Sequence, residues 1–181
     1  MGNGFVVSVN AGDHHDFSKA PKSSIRLLAG IGVEGDAHAG STVQHRSRVA
    51  ADPTQPNLRQ VHLMHAELHD EMNAAGYVLV PGTLGENITT RGVDLLGLPV
   101  GSVLAIGDEV VLGVTGLRNP CRQIDEYAPG LLKLVAYRDT DGLLVRRTGI
   151  MSVVIASGQV LPGMQIRVAL PPEPHQPLDR V

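Results

Sequence analysis

Apolar residues come in short runs, separated by glycine and polar clusters, with few long periodic stretches. Such punctuation predicts many short strands joined by tight turns. Phe5 to Val9 reads as a first strand and Ser24 to Leu28 as a second, with a polar, loop-like stretch from Asp13 to Pro21 between them. Gly30 to Gly40 holds Gly30, Gly32, Gly35 and Gly40 together with Asp36 and His38. Glycine at that density predicts a loop of unusual backbone conformation. Ser41 to Pro56 is polar and reads as an exposed excursion, and Arg59 to Met64 as a third strand.

His65 to Ala75 is the clearest helix. Met64, Leu68, Met72 and Ala75 recur at helical spacing, and Gly76 supplies a stop. Glu86 to Thr90 reads as a β segment. Ser102 to Ile106 and Glu109 to Thr115 predict a hairpin about Gly107-Asp108. Ala128 to Tyr137 predicts a short helix. Gly149 to Ser157 and Met164 to Leu170 predict a terminal pair of strands, with Gly158-Gln159 between them. The pattern is mainly β with one or two short helices. So many strands are expected to close, fully or partly, into a β-barrel or to pack as a sandwich, because open edges are a liability. No repeat is visible at any fixed period. Residues 1–170 are expected to form one domain, and the proline-rich 171–181 a tail that packs over the surface or is mobile.

Composition narrows the reading. A chain of 181 residues can bury a full-sized core, and aromatics at 3% leave that core to Val, Leu and Ile. A net charge of -3 gives no general reason to expect nucleic-acid or anionic-membrane binding, although it leaves room for a local basic groove. The single cysteine rules out an internal disulfide and suits a reducing compartment. No signal peptide, myristoylation signal or membrane span is read from the sequence, so a cytoplasmic location is expected.

Five groups of residues carry candidate chemistry. Cys121 stands just past a predicted strand end between Arg118 and Arg122, which would favour the reactive, metal-binding thiolate. A buried, inert cysteine is the alternative. Gly82 to Gly92 places Gly85, Glu86 and Asn87 at a strand entry, where backbone N–H groups can approach a polar ligand, or simply close a turn. Asp36 and His38 can bind a metal, orient each other, or form an Asx-turn with an exposed imidazole. His62, His65 and His69 include an i,i+4 pair, a zinc-compatible spacing that equally suits a solvated polar face. His45, Arg46, Arg48 and Arg59 can meet a phosphate, or remain solvated.

Three of these segments, taken in order, resemble the MOSC family, the domain named for the C-terminal part of molybdenum cofactor sulfurases. The matches are Gly35-Asp36-Ala37-His38, then Gly85-Glu86-Asn87-Ile88 with Gly92-Val93-Asp94-Leu95, then Arg118-Asn119-Pro120-Cys121. Gly101 to Asp108 adds a Gly-x-x-Leu-x-x-Gly-Asp stretch. The resemblance covers roughly residues 25 to 170 and is greater to the stand-alone bacterial members than to the fused eukaryotic ones. It implies a barrel-type fold, a site for pterin molybdenum cofactor, and Cys121 as the family's signature cysteine.

Two roles follow from that resemblance. In one, Cys121 ligates molybdenum in a reductase of N-hydroxylated small molecules. Asp36 and His38 then serve catalysis, and Gly85, Glu86, Asn87, Arg118 and Asn119 bind the cofactor. In the other, Cys121 carries a persulfide or holds cofactor for delivery. A zinc protein built on His62, His65 and His69 is the third reading. Thiolate is the protein's soft ligand and suits molybdenum. No flavin, haem or iron–sulfur motif is visible, and one cysteine cannot hold a cluster, so a reductase would draw electrons from a partner protein or a diffusible reductant.

Overall fold

The structure is a computed structural model, and residues 4–181 are described. In chain order, β1 is Gly4–Ala11, β2 Ala20–Lys22, β3 Ile25–Leu28, β4 Gly32–Val33, α1 Arg46–Ala51, β5 Val61–His65, α2 Ala66–Ala74 and β6 Ile88–Arg91. There follow β7 Val103–Ile106, β8 Val110–Leu117, α3 Gln123–Tyr127, α4 Leu131–Val135, β9 Ala136–Arg138, β10 Leu144–Arg146, β11 Ile150–Ala156, β12 Gly158–Val160 and β13 Gln165–Ala169.

Seven strands form a ring in the order β13-β7-β8-β11-β5-β6-β1, and β1 pairs with β13 to close it, with Phe5 opposite Gln165. All of these pairings are antiparallel except β5 with β6, where Leu63 stands opposite Ile88. Parallel neighbours need a crossover, and α2 supplies it. The fold is therefore mainly β, as the hydropathy pattern predicts, and of the barrel and sandwich which that pattern left open it is the closed barrel, with four short helices in place of the one or two expected. β2 extends the ring from β1, while β12, β3 and β4 form a small sheet beside it.

The barrel is filled by alternate residues of its strands, including Val6, Val9, Leu63, Ile88, Leu104, Leu112, Ile150 and Ile166. A second cluster lies outside the wall, where Met64, Leu68 and Met72 meet Leu84, Ile124, Leu131 and Val135. This explains why the run Val61–Met64 is buried on both faces. Its odd residues fill the barrel, and Met64 is covered by α2, α3 and α4.

Several local expectations are corrected. The hairpin β7–β8 pairs Ile106 with Val110, so its loop holds three residues, Gly107 to Glu109. The helix expected over Ala128 to Tyr137 is shortened to Leu131–Val135: it starts only after Pro129-Gly130, with Gly130 at φ +87°, and its end becomes β9. The last strands do not pair with each other. β11 joins β8 and β5, β13 joins β7 and β1, and Gly158-Gln159 belongs to β12. The 171–181 segment, by contrast, takes one of its two expected states and packs over the surface: Leu117 N–H donates to the Asp179 carbonyl at 2.8 Å and Val100 N–H to that of Gln176 at 2.9 Å. No described helix is long and apolar enough to cross a membrane.

Candidate functional site

A cavity of about 750 Å³ opens beside the barrel. It is bounded by the 15–19 loop, the His38 loop, α1, the entries to β5 and β6, the segment after β8 and the end of the tail. Seven stretches, distant from one another along much of the sequence, thus converge on one space.

Its buried support is the carboxylate of Asp36. Lys19 Nζ lies 2.8 Å from Oδ2 and 3.0 Å from Oδ1, and both side chains are almost fully buried. Asn87 Nδ2 donates to Oδ2 at 3.0 Å, and the Gly12 N–H to the same oxygen at 3.3 Å. His38 donates its backbone N–H to Oδ1 at 2.9 Å and sets Nδ1 3.2 Å from it. Burial pushes the Asp36 carboxyl up, but the His38 and Lys19 bonds outweigh it and hold the group well below the usual carboxylate range. Burial lowers Lys19, and Asp36 opposes that shift. Asp36 is therefore an ionised brace that fixes one nitrogen of His38 and leaves the ring at the cavity wall, with the imidazole's side chain 27% exposed. Asn57 holds the same loop from behind, donating to the carbonyls of His38 and Gly40 at 3.0 Å each.

At the other end lies Cys121, half-buried, its thiol 3.4 Å from Gln123 Oε1. The arginines around it differ from the sequence expectation. Arg122 points outward, with its side chain 90% exposed and 3.2 Å from Glu126, because it caps the short helix α3. Arg118 and Arg59 are the cations that line the cavity with the thiol and feel its charge. Arg118 donates to the Leu84 carbonyl at 3.3 Å, while its Nη1 is buried without a partner, as is Nε of Arg59. Among the described residues no carboxylate lies within ion-pairing distance of Arg46, Arg48, Arg59 or Arg118. Burial first, then Arg48 and Arg118, push Arg59 down to about 10, with Cys121 acting the other way. Buried cations without partners are costly, so this floor is built to receive negative charge.

Of the residues singled out by sequence, His38, Gly85, Asn87, Arg118, Asn119 and Cys121 line this one cavity. Asn87 is already committed: its amide bonds Asp36 and the Asn10 carbonyl, and its oxygen accepts from His62 N–H at 3.2 Å. Glu86 does not reach the space. It is wholly buried, accepts from Gly82 N–H at 2.8 Å and faces His69 at 3.4 Å. Gly82 and Gly85 take positive φ, and a Cβ on either would meet the carbonyl of Lys19 or Phe17. Those glycines let the chain approach the 17–19 backbone; the tight contact is internal to the protein.

The histidines proposed for zinc are not brought together. His62 Nε2 bonds the Thr148 carbonyl at 2.7 Å, and burial keeps this ring neutral. His69 turns to Glu86, and His65 borders a separate hollow with Glu67 and Asp94. Among the described residues no group of three metal-ligating side chains is found. Sequence reasoning missed Lys19, His15 and Asn57. All three lie in polar stretches whose local pattern signals only a loop.

The MOSC domain model matches residues 36–167. The chain is similar in structure to YuaD of Bacillus subtilis, with 26% identity, a TM-score of 0.73, and coverage of 93% of this chain and 98% of that one. It shares the fold of YiiM from Escherichia coli at 18% identity and a TM-score of 0.63, covering 97% and 73% of the two chains. For YiiM from Geobacillus stearothermophilus the values are 15%, 0.62, 92% and 75%. No curated protein matches the sequence. With the family model spanning most of the chain and all three motifs placed around the barrel, this protein belongs to the MOSC domain family.

Proposed function

We propose that the cavity binds pterin molybdenum cofactor and that the protein reduces N-hydroxylated small molecules there, with Cys121 as the sulfur ligand. The observation that carries this reading is a half-buried thiol beside two buried, unpartnered guanidinium nitrogens. That donor set suits an anionic cofactor with a soft metal. Arg59 and Arg118 would hold its anionic groups and Cys121 its metal. When bound, the cofactor supplies the electron-transfer chemistry.

The chain's own residues supply the rest. Cleaving an N–O bond to N–H and water consumes two electrons and two protons. The electrons come from a partner protein or a diffusible reductant. His38, oriented by Asp36, delivers a proton at the cavity wall, a role suited to imidazole near neutral pH. Lys19 and Asn87 keep Asp36 ionised and in place, acting through it as positioning residues.

The test is metal and pterin analysis of protein made in a cofactor-producing host, followed by turnover of an N-hydroxylated amidine with a chemical reductant. Molybdenum, pterin and turnover together support the reading. Protein that remains free of molybdenum overturns it. Bound molybdenum without turnover moves Cys121 to the role of sulfur carrier or delivery ligand.

A further inference from the structure

The cavity holds more positive charge than the floor around Cys121 accounts for. Away from that floor, its mouth is formed by His15, His38, His45 and Arg48. The rings of His15 and His38 lie 5.0 Å apart, and those of His38 and His45 6.5 Å apart. Each ring has one nitrogen tied to the protein. His15 Nε2 meets the Gln44 carbonyl at 3.0 Å, His38 Nδ1 meets Asp36 at 3.2 Å, and His45 Nδ1 meets Ser47 Oγ at 3.0 Å. The second nitrogen of each has no protein partner among the described residues. The rings are thus oriented, yet each keeps a polar edge free.

The charge balance points the same way. Arg48 and Arg59 have no carboxylate partner, and Asp36 is already engaged by Lys19. Asp16 is the remaining acidic side chain on the wall. Burial, then Arg59, His38 and Arg48, lower His45, the signature of crowded positive groups without a counter-charge. The wall itself is α1, which buries no residue of its own. A helix with no core role that brings His45 and Arg48 to a cavity mouth is better explained by what enters than by packing.

We infer that this mouth is a seat for an oxyanion carried by the substrate, so that the compounds reduced are N-hydroxylated molecules bearing a carboxylate or similar anionic group. The inference rests on the reductase reading of the cavity. Guanidinium and imidazole groups bind carboxylates through charge-assisted hydrogen bonds. An anion held by Arg48 and His45 would leave the N–O end within the same cavity as His38, the proton donor, whose ring lies 6.5 Å from that of His45.

Benzamidoxime and 4-carboxybenzamidoxime differ by one carboxylate and test this directly. Each is titrated calorimetrically into cofactor-loaded protein without reductant, and into cofactor-free protein. The expected result is binding of the carboxylate compound at least about tenfold tighter to loaded protein. The gap shrinks as salt rises, and most of it disappears in Arg48→Gln. With reductant, the preference appears in KM more than in kcat. Equal affinities overturn the seat, as does a gap untouched by Arg48→Gln. A gap present only in cofactor-free protein also overturns it, since the cofactor's own phosphate would then fill the site. Turnover of both compounds with equal KM leaves the reductase standing and removes the seat. Tighter carboxylate binding without turnover of either supports the seat and removes the reductase.

Discussion

Replacing Asp36 by asparagine tests the buried brace behind His38. The substitution is nearly isosteric but strands Lys19, whose ammonium is 2.8 Å from the carboxylate and whose side chain is only 5% exposed. Breaking one side of a buried pair costs about 3–5 kcal/mol, because the remaining charge is left uncompensated. The new amide also turns one N–H face toward donors. Lys19 Nζ, Asn87 Nδ2, the Gly12 N–H and two His38 nitrogens all approach the present carboxylate. Lys19→Met leaves Asp36 with the neutral donors, so its cost is smaller, about 1.5–3 kcal/mol for a charged hydrogen bond lost. The double variant should be more stable than Asp36→Asn alone, because the stranded cation has gone. Urea unfolding of all four proteins at pH 7 measures the cycle. Asp36 is held below its ordinary range. Its contribution is therefore complete above about pH 4, the unfolded carboxylate value. It is lost as pH falls from there through the lower folded value, so Asp36→Asn should flatten the acid side of the stability curve. An Asp36→Asn protein within about 1 kcal/mol of wild type at pH 7 would refute a buried, ionised pair.

Four further outcomes follow from the same geometry. Cys121→Ser should abolish turnover and molybdenum retention while leaving the melting temperature nearly unchanged, since the thiol is half-exposed and the exchange almost isosteric; a folded, fully active variant removes the ligand assignment. His38→Gln should lower turnover about 10²-fold at unchanged molybdenum content, the usual size of general acid–base effects; unchanged kcat in a loaded variant leaves His38 as a loop residue. Arg59→Met should stabilise the ligand-free protein in thermal melts while weakening cofactor retention, because it removes the cost of burying this cation and, secondarily, its repulsion with Arg48 and Arg118; a lower melting temperature contradicts the uncompensated charge. Gly82→Ala should destabilise more than Gly142→Ala, since both take positive φ but only the former meets backbone, at the Lys19 carbonyl; equal costs, near the 1 kcal/mol expected from φ alone, would show that the close approach is unimportant.

Much of the fold was legible along the chain because its causes are local. The helix Ala66–Ala74 follows from apolar spacing and the stop at Gly76, which does take positive φ. The β7–β8 pair follows from two apolar runs about a glycine turn, although the extra loop residue, Glu109, was not visible. Proximity of Cys121 to an arginine was also readable, since Arg118 is only three residues away. Pairing partners were not. β11 and β13 are separated only by the short β12 yet sit in different parts of the ring, because strand choice depends on which long-range contacts bury both faces. The tertiary structure likewise decided between Arg118 and Arg122: four residues apart and chemically identical, one is turned into the cavity by the end of β8 and the other out to Glu126 by α3. Lys19 and His15 had no sequence signal at all, for a polar residue in a loop acquires meaning only when folding sets it against a partner such as Asp36 or His38. Periodicity and turn residues record what a segment prefers by itself. Which buried charge it must neutralise is a property of the space between segments.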